Sequence, residues 1–153
     1  MTSVKYEKIY SRFFSKVEAY DFMELSEDIL NDLLCNWLHT ACANQYVRKL
    51  FQTVNLDDAL QEINYEMKYS VDEFSDEEFI VEVIALGTAI AWLEPKINSM
   101  NNVAQFFGSK EEKFYSQSAH LSELKGLVED MKKQQRRMIA DRGYVWNTYV
   151  DGE

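Results

Sequence analysis

The sequence predicts a mainly α fold: a helical bundle of about four helices with a long C-terminal helix, a projecting loop and an extended C-terminal arm. Three observations carry that expectation. Glycine and proline are scarce, five and one in 153 residues, whereas sandwiches and barrels need many tight turns. Apolar residues recur at helical spacing over much of the chain. Hydrophobic residues make up 46% and charged residues 27%, a globular balance at a length that buries a core without disulfides or metals.

The elements follow in order. Over residues 4–17 the stripe Tyr6, Ile9, Tyr10, Phe13, Phe14 and Val17 predicts a first amphipathic helix, broken near Tyr20, Asp21 and Phe22. Ser26 has the chemistry of an N-cap, with Glu27 and Asp28 in the first turn, where the helix dipole favours acids. Ile29, Leu30, Leu33, Leu34, Trp37, Leu38 and Ala41 then make the apolar stripe of a second helix. Residues 44–58 show no clear period. Ile63, Tyr65, Met67 and Tyr69 alternate with polar residues, so residues 60–69 lean towards a strand, although Leu60, Ile63 and Met67 also fit a helix.

Ser75 and Glu78 have the spacing of a capping box, and residues 79–93 are apolar nearly all round except for Glu82 and Thr88. Such a helix belongs at the centre of the domain. Pro95 predicts its end or a kink. Residues 98–110 read as a loop carrying Val103, Phe106 and Phe107. A long helix over residues 111–141 follows, with interruptions conceivable at Ser116 or Gly126 and a stop at Gly143. Its residues Leu121, Leu124, Val128, Met131, Gln135 and Met138 step by three and four in a heptad-like seam, a candidate interface between copies. Residues 1–142 thus form one helical domain and residues 143–153 an extended arm.

Composition excludes several functions. A formal net charge of −10 opposes binding to nucleic-acid backbone, which requires clustered Lys and Arg, and opposes docking on anionic membrane. No segment approaches the roughly 20 apolar residues that span a bilayer, and the N-terminus lacks a signal core. Cys35 and Cys42 fall seven residues apart in one helix, roughly 10 Å at 1.5 Å per residue, too far for a disulfide. A soluble protein made in a reducing cytosol is the expectation.

Cys35, His39 and Cys42 share a helix face with Asp32, and all four residue types ligate zinc. Ligands spread along two turns of one helix do not converge on a tetrahedral ion without a residue from elsewhere. The expectation is therefore no metal and no cofactor, with the cysteines acting as small buried apolar groups. His120 has no nucleophile beside it, and neither a nucleophile elbow nor a phosphate-cradling loop occurs, so no enzyme is expected. Residues 54–94 hold eleven acids and Lys68 as the base facing them, which reads as a solvated acidic face. Lys132, Lys133, Arg136, Arg137 and Arg142 give the long helix a basic end, suited to its C-terminal dipole or to the acidic region of a neighbouring copy.

Aromatic and apolar residues in the loop and tail, Phe106, Phe107, Tyr144, Val145, Trp146 and Tyr149, are candidate partner-binding anchors. The tail has the β-prone composition to add a strand to a partner's sheet. The alternative, that both segments fold back on the chain's own core, stands beside this one.

Several stretches resemble a family. They are residues 6–14 (YEKIYSRFF), 37–39 (WLH), 46–51 (YVRKLF), 92–99 (WLEPKINS), 105–117 (QFFGSKEEKFYSQ) and 141–149 (DRGYVWNTY). Together they are similar to a small protein of phages and prophages of low-GC Gram-positive bacteria, and in size and architecture the chain resembles head–tail connector adaptors of tailed bacteriophages. That resemblance implies a virion protein of the neck, assembled as a homo-oligomeric ring, usually twelvefold, with DNA passing through its lumen without specific binding. It implies the portal protein as partner, docked by the arm at residues 144–150. Phe106 and Phe107 would touch a neighbouring copy or the next neck or tail-completion protein. Two other classes compete: another phage head- or tail-completion or scaffold-like protein, and a small helical regulator that binds a partner helix through the seam.

Overall fold

A computed structural model describes residues 2–17, 25–106 and 111–145; for 100–106, 111–120 and 144–145 it describes the backbone element alone. In chain order the elements are β1 (Thr2–Lys5), α1 (Tyr6–Phe14), α2 (Glu27–Ala43), α3 (Gln45–Arg48), β2 (Phe51–Asp57), β3 (Glu62–Met67), α4 (Glu73–Phe106) and α5 (Glu111–Val145). The fold is mainly helical, as expected, with a small antiparallel sheet of order β1-β3-β2 added to it. None of the described helices is long and apolar enough to cross a membrane.

α4 lies at the centre and packs against α1, α2 and α5. Its residues Ile80, Val81, Val83, Ile84, Ala85, Leu86, Ala89 and Leu93 are all buried, as an all-round apolar sequence requires. Thr88 is buried among them because its hydroxyl donates to the Ile84 carbonyl at 2.8 Å, one turn back. Phe13 of α1 joins the helices, packing against Trp37 of α2 and edge-on against Trp92 of α4.

Several helix boundaries differ from expectation. α4 begins at Glu73. The Asp72 carboxylate accepts the Ser75 amide at 2.7 Å, so Asp72 caps the helix in place of Ser75. Glu78 does not close a capping box, because Lys8 and Arg12 of α1 hold its carboxylate. Pro95 does not end α4, which continues to Phe106. Proline removes one intrahelical bond, and Leu93 and Ile97 on either side of it are buried in the core. The expected loop at residues 98–110 is helical through Phe106, and Phe107 lies outside the described residues. α5 runs unbroken past Ser116 and Gly126 and carries Gly143, Tyr144 and Val145 inside the helix. The described start of the expected extended arm is thus helical, while Trp146 and Tyr149 lie outside the described residues.

The strand leaning of residues 60–69 corresponds to β3, with Ile63, Tyr65 and Met67 buried and Glu66 exposed. β3 is the middle strand, pairing Val4 with Ile63 on one side and Leu56 with Ile63 on the other. β2 has no clear period because its register shifts between Phe51 and Thr53. The extra residue separates the apolar positions Phe51, Val54 and Leu56 by three and then two.

Candidate functional site

The turn between β2 and β3 brings the most chemically diverse side chains of the described chain together. Asp57 accepts the Leu60 amide at 3.0 Å, and Gln61 takes a positive φ of 52°, which together reverse the chain over four residues. The Gln61 carbonyl accepts the Tyr6 amide at 2.9 Å, tying this turn to the start of α1. Asp58 is thereby held against α2, where Cys35 and His39 sit one helical turn apart.

Three donors converge on one oxygen, Asp58 Oδ1. Tyr6 Oη is 2.6 Å away, His39 Nε2 2.8 Å and Cys35 Sγ 3.5 Å. A carboxylate oxygen only accepts, so the His39 hydrogen facing it resides on Nε2. Hydrogen bonds from Tyr6 and then His39 hold the Asp58 carboxyl below its usual value. Burial, reinforced by the Asp58 charge, raises the Tyr6 phenol, and burial followed by the same charge raises the Cys35 thiol. The thiol therefore faces a carboxylate and stays protonated, the opposite of an activated nucleophile. Cys35, His39 and Asp58 each bring a ligand atom within 4.8 Å of the other two.

The sequence singled out Cys35 and His39 but joined them to Asp32 and Cys42. Asp32 is exposed. Cys42 is buried in the core, and burial pushes its thiol up to about 12. The residue from elsewhere is Asp58, assisted by Tyr6. Both were hidden from sequence, since Tyr6 belonged to an apolar stripe and Asp58 to an acidic run. The Asp57–Asp58 pair just before an alternating segment was the one available signal.

The heptad seam faces inward. Val128, Met131 and Gln135 are buried, and Leu121, Leu124 and Met138 pack half-buried against the same core. Gln135 donates to the Val83 carbonyl of α4 at 2.9 Å. The candidate interface between copies is therefore corrected to the packing face of α5 on its own α4.

The acidic face is solvated in part, with Asp58, Glu66, Asp72, Glu73 and Glu94 exposed, and in part paired within the chain. Lys8 reaches Glu77 and Glu78 at 2.9 and 3.0 Å, Arg12 reaches Glu78 and Glu82 at 2.9 and 2.8 Å, and Lys16 pairs with Glu82. Burial alone would raise the Glu82 carboxyl, yet Lys16 and Arg12 outweigh it and hold it low. Lys132 of the basic end bonds Glu94 at 2.8 Å, and Arg142 pairs with Asp76. Asp76 is buried and also accepts the Ser70 hydroxyl at 2.5 Å and the Val71 amide at 3.0 Å. Arg142 donates to the Tyr69 carbonyl at 3.2 Å and lies over the Phe79 ring. Lys132 and Arg142, two of the bases expected to meet the acids of a neighbouring copy, meet acids of their own chain.

Large apolar side chains stand at the surface instead. Phe74 in the first turn of α4 is 74% exposed and Val71 just before it 48%, with Leu60, Ile29 and Tyr46 exposed elsewhere. Of the anchors expected from sequence, Phe106 ends α4 and Tyr144 and Val145 end α5. Comparison with protein-family models, curated proteins and solved structures finds no match for this chain.

Proposed function

We propose that this chain is a structural protein of the neck of a tailed bacteriophage. In this reading it is a head–tail adaptor that docks on the portal protein and links the DNA-filled capsid to the tail. The sequence resemblance over nearly the whole chain supplies the phage context. The observation that carries the assembly role is the division of the surface: Asp76, Glu77, Glu78, Glu82 and Glu94 are paired within the chain, while Phe74 and Val71 are left in solvent. Phe74, the most exposed of the large apolar side chains among the described residues, would serve as an aromatic anchor for a partner's pocket. A role in catalysis finds no support at the Cys35–His39–Asp58 cluster, whose thiol is held protonated by burial and by the neighbouring carboxylate. The helical-regulator alternative loses its main feature, because the seam it would use is packed on α4.

The adaptor acts as a ring of identical copies around the DNA, twelvefold if it matches the usual portal. Its acidic balance suits a lumen through which DNA slides without sticking. The test ends the chain after Val145, which leaves α5 and the Arg142–Asp76 pair whole. Expected are capsids that package DNA but fail to join tails. Normal yields of infectious particles would contradict the docking role of the tail.

A further inference from the structure

We propose that Cys35, His39 and Asp58 form a binding site for one divalent cation of the zinc class, with Tyr6 positioning the carboxylate. The inference goes beyond the neck reading and does not rest on it. Its basis is that two ligands on one helix and a third from a hairpin turn meet at a point, the arrangement that a single helix cannot supply.

The geometry is close to what an ion requires. A tetrahedral zinc with bonds of about 2.0–2.3 Å spaces its ligand atoms roughly 3.3–3.8 Å apart. The Cys35 Sγ to Asp58 Oδ1 distance of 3.5 Å falls in that range, and the His39 Nε2 to Oδ1 distance of 2.8 Å is about half an ångström short of it. The exposed His39 side chain has room to move by that amount while Asp58 keeps its bond to Tyr6. The donor set is selective: thiolate and imidazole favour zinc over magnesium or calcium, which take oxygen ligands.

The charges also balance. One thiolate, one carboxylate and one neutral imidazole around a doubly charged ion make a neutral site; the thiol proton passes to solvent, and the imidazole changes tautomer, its hydrogen leaving Nε2 for Nδ1. The ion takes the place of the hydrogens that now crowd Asp58 Oδ1 from Cys35 and His39. Tyr6 is buried, and its phenol donates to the same oxygen at 2.6 Å. It orients the carboxylate, as hydrogen-bond donors to metal-bound carboxylates do. Three protein ligands leave a fourth position open on the exposed side, for water or for a group from a partner.

The test titrates the full chain, stripped of metal with a chelator, with cobalt and then with zinc. Expected is one equivalent of cobalt with a thiolate-to-cobalt charge-transfer band, displaced by zinc. Cys35→Ser abolishes the band and His39→Ala weakens binding at least about tenfold, while Cys42→Ala retains both. Tyr6→Phe keeps the stoichiometry and lowers affinity by about tenfold. Circular dichroism confirms that each variant is folded; Cys35 and His39 lie outside the fully buried core, so their variants decide the matter even if Cys42→Ala does not fold. No thiolate band at saturating cobalt, or a band that survives Cys35→Ser, overturns the proposal.

Discussion

Gly87 shows how one residue sets the spacing of three helices. A Cβ built there would lie 2.8 Å from the Ala41 Cβ of α2 and 3.2 Å from Gln135 Nε2 of α5. Alanine is the better helix former by about 1 kcal/mol, so the glycine is explained by contact rather than by propensity. Gly87→Ala forces a methyl against a methyl on a packed helix, and overpacking costs about 1–3 kcal/mol. We expect a net loss of about 1 kcal/mol and a melting temperature lower by roughly 2–4 °C; an unchanged or raised melting temperature would mean that α2 separates from α4 freely. Arg142 acts across a longer span, joining the end of α5 to the start of α4 through buried Asp76. Arg142→Ala leaves that carboxylate without its cation, a loss of about 3 kcal/mol in chemical denaturation. Asp76→Asn combined with Arg142→Met should lose less than Arg142→Ala, since neither a bare charge nor a cavity is left. Neither role was legible in the sequence: Gly87 stood in an apolar run, and Arg142 had the ordinary explanation of a cation near a helix C-terminus.

At the scale of elements, α1 docks on α4 by a ladder in which Lys8 and Arg12 of the helix and Lys16 of the turn just after it face Glu77, Glu78 and Glu82 of α4. Lys8 and Arg12 are raised by hydrogen bonds to these glutamates, and Glu78 is lowered by Arg12 and Lys8. Carboxyls with native values below the ordinary 4.5 stabilise the fold fully above that pH. Their contribution is lost as the pH falls through the lower native values, where the unfolded chain has already taken up its protons. Acid should therefore loosen α1, an event seen by the fluorescence of Trp37 and Trp92, which flank Phe13. Replacing Glu78 and Glu82 together by Gln should flatten the pH dependence of stability below 4.5; an unaltered slope would assign it to other carboxyls. The helices were the legible part of this fold, because their apolar stripes and the Ser26 cap are local. Ser26 Oγ does accept the Ile29 amide, at 3.4 Å. Val4 and Lys5 of β1 were read as the start of α1, because the strand is four residues long and its partners lie some sixty residues away. β2 was masked by its register shift, and its turn to β3 uses Gln61, not glycine, for the positive φ. The candidate site was half legible for the same reason: α2 announces Cys35 and His39, whereas Asp58 arrives through that hairpin.

For the whole molecule, the in-chain pairing of acids and bases changes where contacts with other proteins are to be sought. The seam on α5 and much of the acidic region belong to the chain's own packing. Among the described residues, the most exposed large apolar side chain is Phe74 at the start of α4, with Val71 exposed just before it. Sequence periodicity cannot separate a seam that meets a neighbouring chain from one that meets the next helix, since both need the same three-and-four spacing. The phage assignment rests on resemblance and the assembly role on the exposed surface, and a single image tests both. A reconstruction of the neck of a virion carrying this protein should show a ring of its copies between portal and tail, with Phe74 at a contact between chains. Density for the chain anywhere else in the particle, or none at all, would contradict the account.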